Sequence, residues 1–281
     1  MTQNLIVTPE AVTTAGTISY WRLHGAINLS RLHTLWTTAA LNPAQLPKAP
    51  SPAVALGRAV RMEAGPRMLV RPLAAESTWA IVSETADDAT IGYEQLCVVG
   101  FSGTAPTFTR THATPTEYEA MVARIRANFD QQQGELAPED ISVWLVRMAK
   151  LLQAVPLRDT GGIYFIPRKD ADLWRKISTV IEAVSKHSIF QIPAMRNDEA
   201  IRAITDAITQ EADAAVSTIA EELTTLGDRA LKHRREACDA LLAKIAEYDL
   251  LLGVQLQCRE RVEGLQASIA MALLVANDEV A

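Results

Sequence analysis

The sequence predicts an α+β protein: a mixed head with a small sheet over residues 1–195, then a C-terminal antiparallel, coiled-coil-like helical arm over 196–281. Three observations carry this. Short β-prone runs bounded by turn residues occupy parts of 67–101 and 155–193. Capped segments with one apolar face lie between them. From Ile201 to Leu252 a single apolar stripe recurs at steps of 3, 4 and 4, interrupted only by Arg234.

The head reads in order as follows. An extended start leads to a helix capped by Asn28 or Ser30, with Leu29, Leu32, Leu35 and Trp36 on one face. Four prolines within Asn42–Pro52 end it, since proline lacks the amide donor. A short helix over Ala53–Met62 precedes strands at Arg67–Leu73, Thr78–Ser83 and Gln95–Phe101, with Asp87-Asp88 and Gly92 as turn chemistry. Thr116 and Glu119 have capping-box spacing before a helix reaching Phe129. Pro138, Glu139 and Asp140 open the next, Ile141–Ala154, which carries Trp144, Leu145 and Met148.

Val155–Arg158 and Ile163–Pro167 then flank Asp159-Thr160-Gly161-Gly162, the pattern of a hairpin. Asp170 is placed as cap of a helix over Ala171–Ser185, and Ile189–Pro193 as a further strand.

In the arm, steps of 3, 4 and 4 make an eleven-residue repeat, which suits a nearly straight helix pair. At about 1.5 Å per residue the stripe would run roughly 75 Å, too long for a head of this size to cover. Its phase continues through Gly227, so one helix is expected there, with a break near 249–254. Beyond Gly253 the stripe shifts to Val254, Cys258, Val262, Leu265 and Ile269, read as a return helix. A homo-oligomer assembled on Ile208, Ile219, Leu223, Leu226, Leu241 and Ile245 follows; Arg234 reads equally as pairing to an acidic residue of a partner helix or as snorkelling on a solvated face.

The composition narrows the function classes. The chain has 48% hydrophobic and 21% charged residues, ordinary for a globular protein. The N-terminus has no basic start or apolar core of a signal peptide, and the longest apolar run, 269–276, is short of the ~20 residues a membrane span needs. A cytoplasmic protein without membrane partners is expected, and Cys97, Cys238 and Cys258, widely spaced, fit free thiols. The net charge of −6 hides alternating blocks: residues 141–197 hold nine basic and four acidic side chains, whereas 198–281 hold eight and sixteen. Such blocks suit charge complementarity within an assembly, or a basic surface meeting a polyanion.

No catalytic signature is present: GxSxG, the phosphate loop, GxGxxG, HExxH and EF-hand spacing are all missing. The five histidines form no i, i+4 pair, so neither metal nor cofactor is expected. Two local groupings stand out. Arg158 with Gly161 and Gly162 reads as a plain turn, or as an anion site made of glycine amides and a guanidinium. Tyr164 and Phe165 alternate across their strand, so a one-sided sheet turns one ring outward; among Arg158, Arg168 and Lys169 that ring reads as a covered sheet face, a subunit interface or a single-strand-binding surface.

Leu157–Pro167 (LRDTGGIYFIP) and Ala243–Gly253 (AKIAEYDLLLG) together resemble uncharacterised proteins of bacteriophages and related mobile elements, which pair an LRxxGGxYFxP hairpin with a long C-terminal helix. The resemblance implies a phage- or plasmid-type accessory protein and carries over no active-site residue. The resulting expectation is a non-enzymatic, self-associating protein using its arm for assembly. The alternative is a nucleic-acid-binding protein using the 155–176 surface.

Overall fold

Along the chain, a computed structural model describes residues 14–86, 90–103, 105–158, 162–223 and 226–278. Its elements are β1 (Thr14–Arg22), β2 (Ile27–Asn28), α1 (Leu29–Thr38), α2 (Pro52–Arg61), β3 (Met68–Pro72), β4 (Trp79–Ala86), β5 (Ile91–Ser102), β6 (Ala105–Arg110), α3 (Pro115–Gln133) and β7 (Glu135–Leu136). They continue with α4 (Pro138–Leu151), β8 (Val155–Pro156), β9 (Ile163–Pro167), α5 (Arg168–Val184), β10 (Ser188–Met195), α6 (Asp198–Glu222), α7 (Asp228–Leu252) and α8 (Cys258–Asp278). The described residues pack as two units, one built from 14–23, 143–182 and 187–278 and the other from 24–142 and 183–186. A cut at 195/196 divides the chain differently, because α6–α8 share a core with β1, β8, β9 and β10.

The unit built on residues 24–142 is organised by a meander, β3-β4-β5-β6, antiparallel throughout. One core joins Leu56, Ala59 and Val60 of α2 to Ile81 and Val99 of the sheet and to Met121 and Ile125 of α3. The cap of α3 lies two residues before the expected one. Thr114 Oγ1 accepts from the Glu117 N–H and the Glu117 carboxylate accepts from the Thr114 N–H, because Pro115 takes the first helical position. Asn28, not Ser30, caps α1, accepting from the Arg31 N–H at 3.0 Å. The expected Asp87-Asp88 turn lies outside the described residues.

The second unit contains a four-stranded antiparallel sheet in the order β10-β1-β9-β8. Its strands and helices follow the chain as β1, α4, β8, β9, α5, β10, the β-α-β-β-α-β order of a split β-α-β sheet. The expected hairpin is present, with Val155 opposite Phe165 and Pro156 opposite Tyr164. Helix α5 starts at Arg168, directly after the strand, so Asp170 sits within its first turn rather than capping it. Cross-strand partners share a face. Thr17, Ser19, Trp21 and Tyr164 lie on one face, where the Trp174 indole of α5 donates to Ser19 Oγ at 2.9 Å. Gly16, Ile18, Tyr20 and Phe165 lie on the other.

The arm is the main correction. Residues 198–252 are two helices, not one: α6 ends at Glu222, and Gly227, extended at φ −77°, ψ 167°, stands before α7. A ψ of that size breaks the i to i−4 ladder. Arg234, read as reaching a partner helix or as snorkelling on a solvated face, pairs with Glu222 of the same chain. The second break falls where expected, with Gly253 left-handed at φ 70°. Asp249 then fastens the turn into α8, accepting from the Leu256 N–H at 2.8 Å and pairing with Arg259. The stripe is therefore covered within the chain. Ile208, Ile219, Ile245 and Tyr248 pack with Val262, Leu265 and Ile269 of α8 and with Phe165 of the sheet, leaving no two-helix arm.

Candidate functional site

The residues singled out in the hairpin are not gathered into one surface. Arg158 and Arg168 are exposed, and Gly161 lies outside the described residues. Gly162 has φ +37°, a turn conformation that suits glycine. Tyr164 stacks on Trp21, ring centroids 5.4 Å apart, and partial burial raises its hydroxyl above the usual pKa. Phe165 is fully buried and meets Tyr248 edge-on at 6.1 Å. Lys169 pairs with Glu247 at 2.7 Å, so its charge is compensated. The two sequence motifs thus meet in space, and what they build is a sheet-to-helix joint. The expected interface residues Ile208, Ile219 and Ile245 are buried in the chain's own core, with Leu223, Leu226 and Leu241 packed against it.

The joint includes a residue that the sequence did not mark. Lys244 is buried on α7, where its ammonium donates to the Ala154 carbonyl and to both Glu211 carboxylate oxygens, all at 2.9 Å. One turn later the Tyr248 hydroxyl donates to the Gln153 carbonyl at 2.8 Å. Gln153 is left-handed at φ 55°, so these two bonds hold a strained corner between α4 and β8. Burial, then the nearby carboxylates of Glu211, Glu247 and Asp170, push the Tyr248 hydroxyl far above its ordinary pKa. Such a phenol holds its proton at neutral pH, which suits architecture rather than proton transfer. No group of three His, Cys, Asp or Glu residues that could hold a metal exists among the described residues.

One part of the sheet stays open. On the face that carries Phe165, Tyr20 of β1 and Phe190 of β10 stack at 4.8 Å with an 18° interplanar angle. The Arg22 guanidinium lies 5.7 Å from the Phe190 ring centre. Phe190 is 37% exposed and Ile192, next on the same face, 50%. The outer edge of β10 is blunted against strand addition. The Glu182 carboxylate accepts from the Ile189 N–H at 2.7 Å, and Pro193, at the same outward parity, has no N–H. What is offered is therefore the ring-bearing face and not the edge.

The same unit holds a cavity of about 400 Å³ among α6, α7 and α8 and the end of α4. Among the described residues, no helix is long and apolar enough to cross a membrane.

The chain belongs to a family of unknown function, DUF6744, whose model matches residues 16–279. Neither a curated protein nor a solved structure matches it.

Proposed function

We propose that this member of a family of unknown function is a non-enzymatic binding protein whose ligand is single-stranded nucleic acid. The observation that carries the reading is the solvent-accessible Tyr20–Phe190 stack with Arg22 beside it, on the face of a four-stranded antiparallel sheet. Unpaired bases stack on such rings whatever their sequence, and a guanidinium adds a phosphate or ring contact. With a net charge of −6, general attraction to phosphates is weak, so stacking has to supply most of the affinity. Binding should therefore fall only shallowly with added salt.

Fluorescence anisotropy with labelled single- and double-stranded DNA and RNA tests this. Tyr20→Ala and Phe190→Ala should each cost about 1–3 kcal/mol, roughly 5- to 150-fold in Kd, and duplexes should bind less well than single strands. Neutralising Arg158, Arg168 and Lys169 together should change little, since Lys169 is already paired. Absence of binding to every strand at tens of micromolar, or binding indifferent to both ring substitutions, defeats the proposal.

Self-association has a separate support. With the stripe covered, a row of exposed apolar positions remains on the outer side of α8. Gly264, Ala267, Met271 and Leu274 follow one another at helical spacing, the last two 65% and 63% exposed. A second copy packing there would close this face, with the small residues allowing close approach. Sedimentation velocity should show an oligomer that Met271→Glu with Leu274→Glu dissociates; a monomer at tens of micromolar removes the reading. Both readings suit the accessory role that the motif resemblance implies.

A further inference from the structure

We propose that the cavity among α6, α7 and α8 binds a small carboxylate with an unbranched apolar tail, its head group held by Lys150. The walls are apolar and short: Ala215 and Ile219 of α6, Ala237 and Leu241 of α7, and Leu265 of α8. Alanines at facing positions leave the space that larger side chains would fill. The volume, about 400 Å³, falls in the range of small-molecule sites and below what a two-chain lipid needs.

Charge decides the head group. Three polar side chains with full charge line the cavity: Lys150, Glu211 and Lys244. The Lys244 ammonium is consumed by Glu211 and the Ala154 carbonyl, and that pair is neutral. Lys150, exposed at the end of α4, forms no ion pair among the described residues. One uncompensated cation at the rim of an apolar cavity matches a monoanion with a single tail, the tail inside and the carboxylate on the ammonium.

Calorimetry and thermal melting of the full chain test this with dodecanoate, dodecyltrimethylammonium and 1-dodecanol, each below its aggregation or solubility limit. Dodecanoate should bind at 1:1 stoichiometry and raise Tm, as a ligand specific to the folded state does. Lys150→Glu should weaken dodecanoate at least tenfold and leave the alcohol unchanged. Ala237 and Ala240 are exposed at the mouth, so Ala237→Trp, or Ala240→Trp if the first variant melts early, should plug the cavity and abolish binding of both. Failure of dodecanoate to saturate overturns the proposal, as does equal binding by a well-folded plugged variant. Equally tight binding of the ammonium amphiphile overturns the head-group assignment and with it the role of Lys150.

Discussion

Gly16→Ala is expected to cost more than about 3 kcal/mol, enough to lower Tm by roughly 10 °C in a chain of this size. Gly16 sits in β1 with strands on both sides, opposite Ala194 and Pro167. A methyl group there would stand 2.1 Å from the Ile166 carbonyl oxygen and 2.8 Å from the Phe165 ring. Neither neighbour can yield cheaply. The carbonyl belongs to the backbone of the paired strand β9, and Phe165 is fixed beneath Tyr248. The register already slips between Thr14 and Gly16, so the strand has no further slack at this point. Urea denaturation monitored by circular dichroism reads the effect directly. A variant that melts within 2 °C of the parent would show that β1 and β9 separate freely here.

The elements that were legible are those whose signals are local. The Val155–Pro167 hairpin, the short helix α2, Asn28 as a cap and the stop at Gly253 each depend on a few neighbouring residues. Gly227 was misread because the apolar stripe keeps its phase across it. Two helices that bury their stripes against the same core retain the same spacing whether or not the ladder between them is intact, so phase alone does not prove continuity. The strand order was out of reach for a different reason. Thr17 bonds to Ile192 across 175 positions, and nothing in either run names the other. An oligomer is expected from a stripe too long for the head to cover, and the fold-back at Gly227 covers that stripe within the chain.

The candidate site was legible in kind but not in place. Alternation correctly sends Tyr164 and Phe165 to opposite faces, and a one-sided sheet would leave one ring in solvent. Here Trp21 and α5 flank one face, and α7 reaches over the other, so both rings are enclosed to different degrees. The open rings come from Tyr20 and Phe190, each at every-second-residue spacing from an apolar neighbour on the same face, Ile18 before Tyr20 and Ile192 after Phe190. That alternation was the available signal, and it was hidden by reading the first residues only as an extended start. Lys244 carried a fainter one: a lysine next to Ile245 and one turn before Tyr248, on the buried side of a helix.

Lys244→Met should destabilise the fold by about 2–4 kcal/mol, and the companion change should show why. The substitution removes the cation that both Glu211 oxygens and the Ala154 carbonyl accept from, leaving a carboxylate and a backbone acceptor without a donor. Breaking a fully buried pair typically costs about 3–5 kcal/mol. The Glu211 side chain is 34% exposed against 9% for Lys244, so water recovers part of that loss and the lower figure applies. Replacing both partners, as Lys244→Met with Glu211→Leu, leaves no stranded charge. The double variant should therefore be closer to the parent than Lys244→Met alone, short by the one unanswered carbonyl, about 1 kcal/mol. A double-mutant cycle read by urea denaturation should give a coupling of about 1–3 kcal/mol between the two sites. Additive losses would instead place the stabilisation in the Ala154 bond and the packed lysine stem. In that case α7 would hold the α4–β8 corner through the two carbonyl bonds, from Lys244 and Tyr248, and Glu211 would be a bystander.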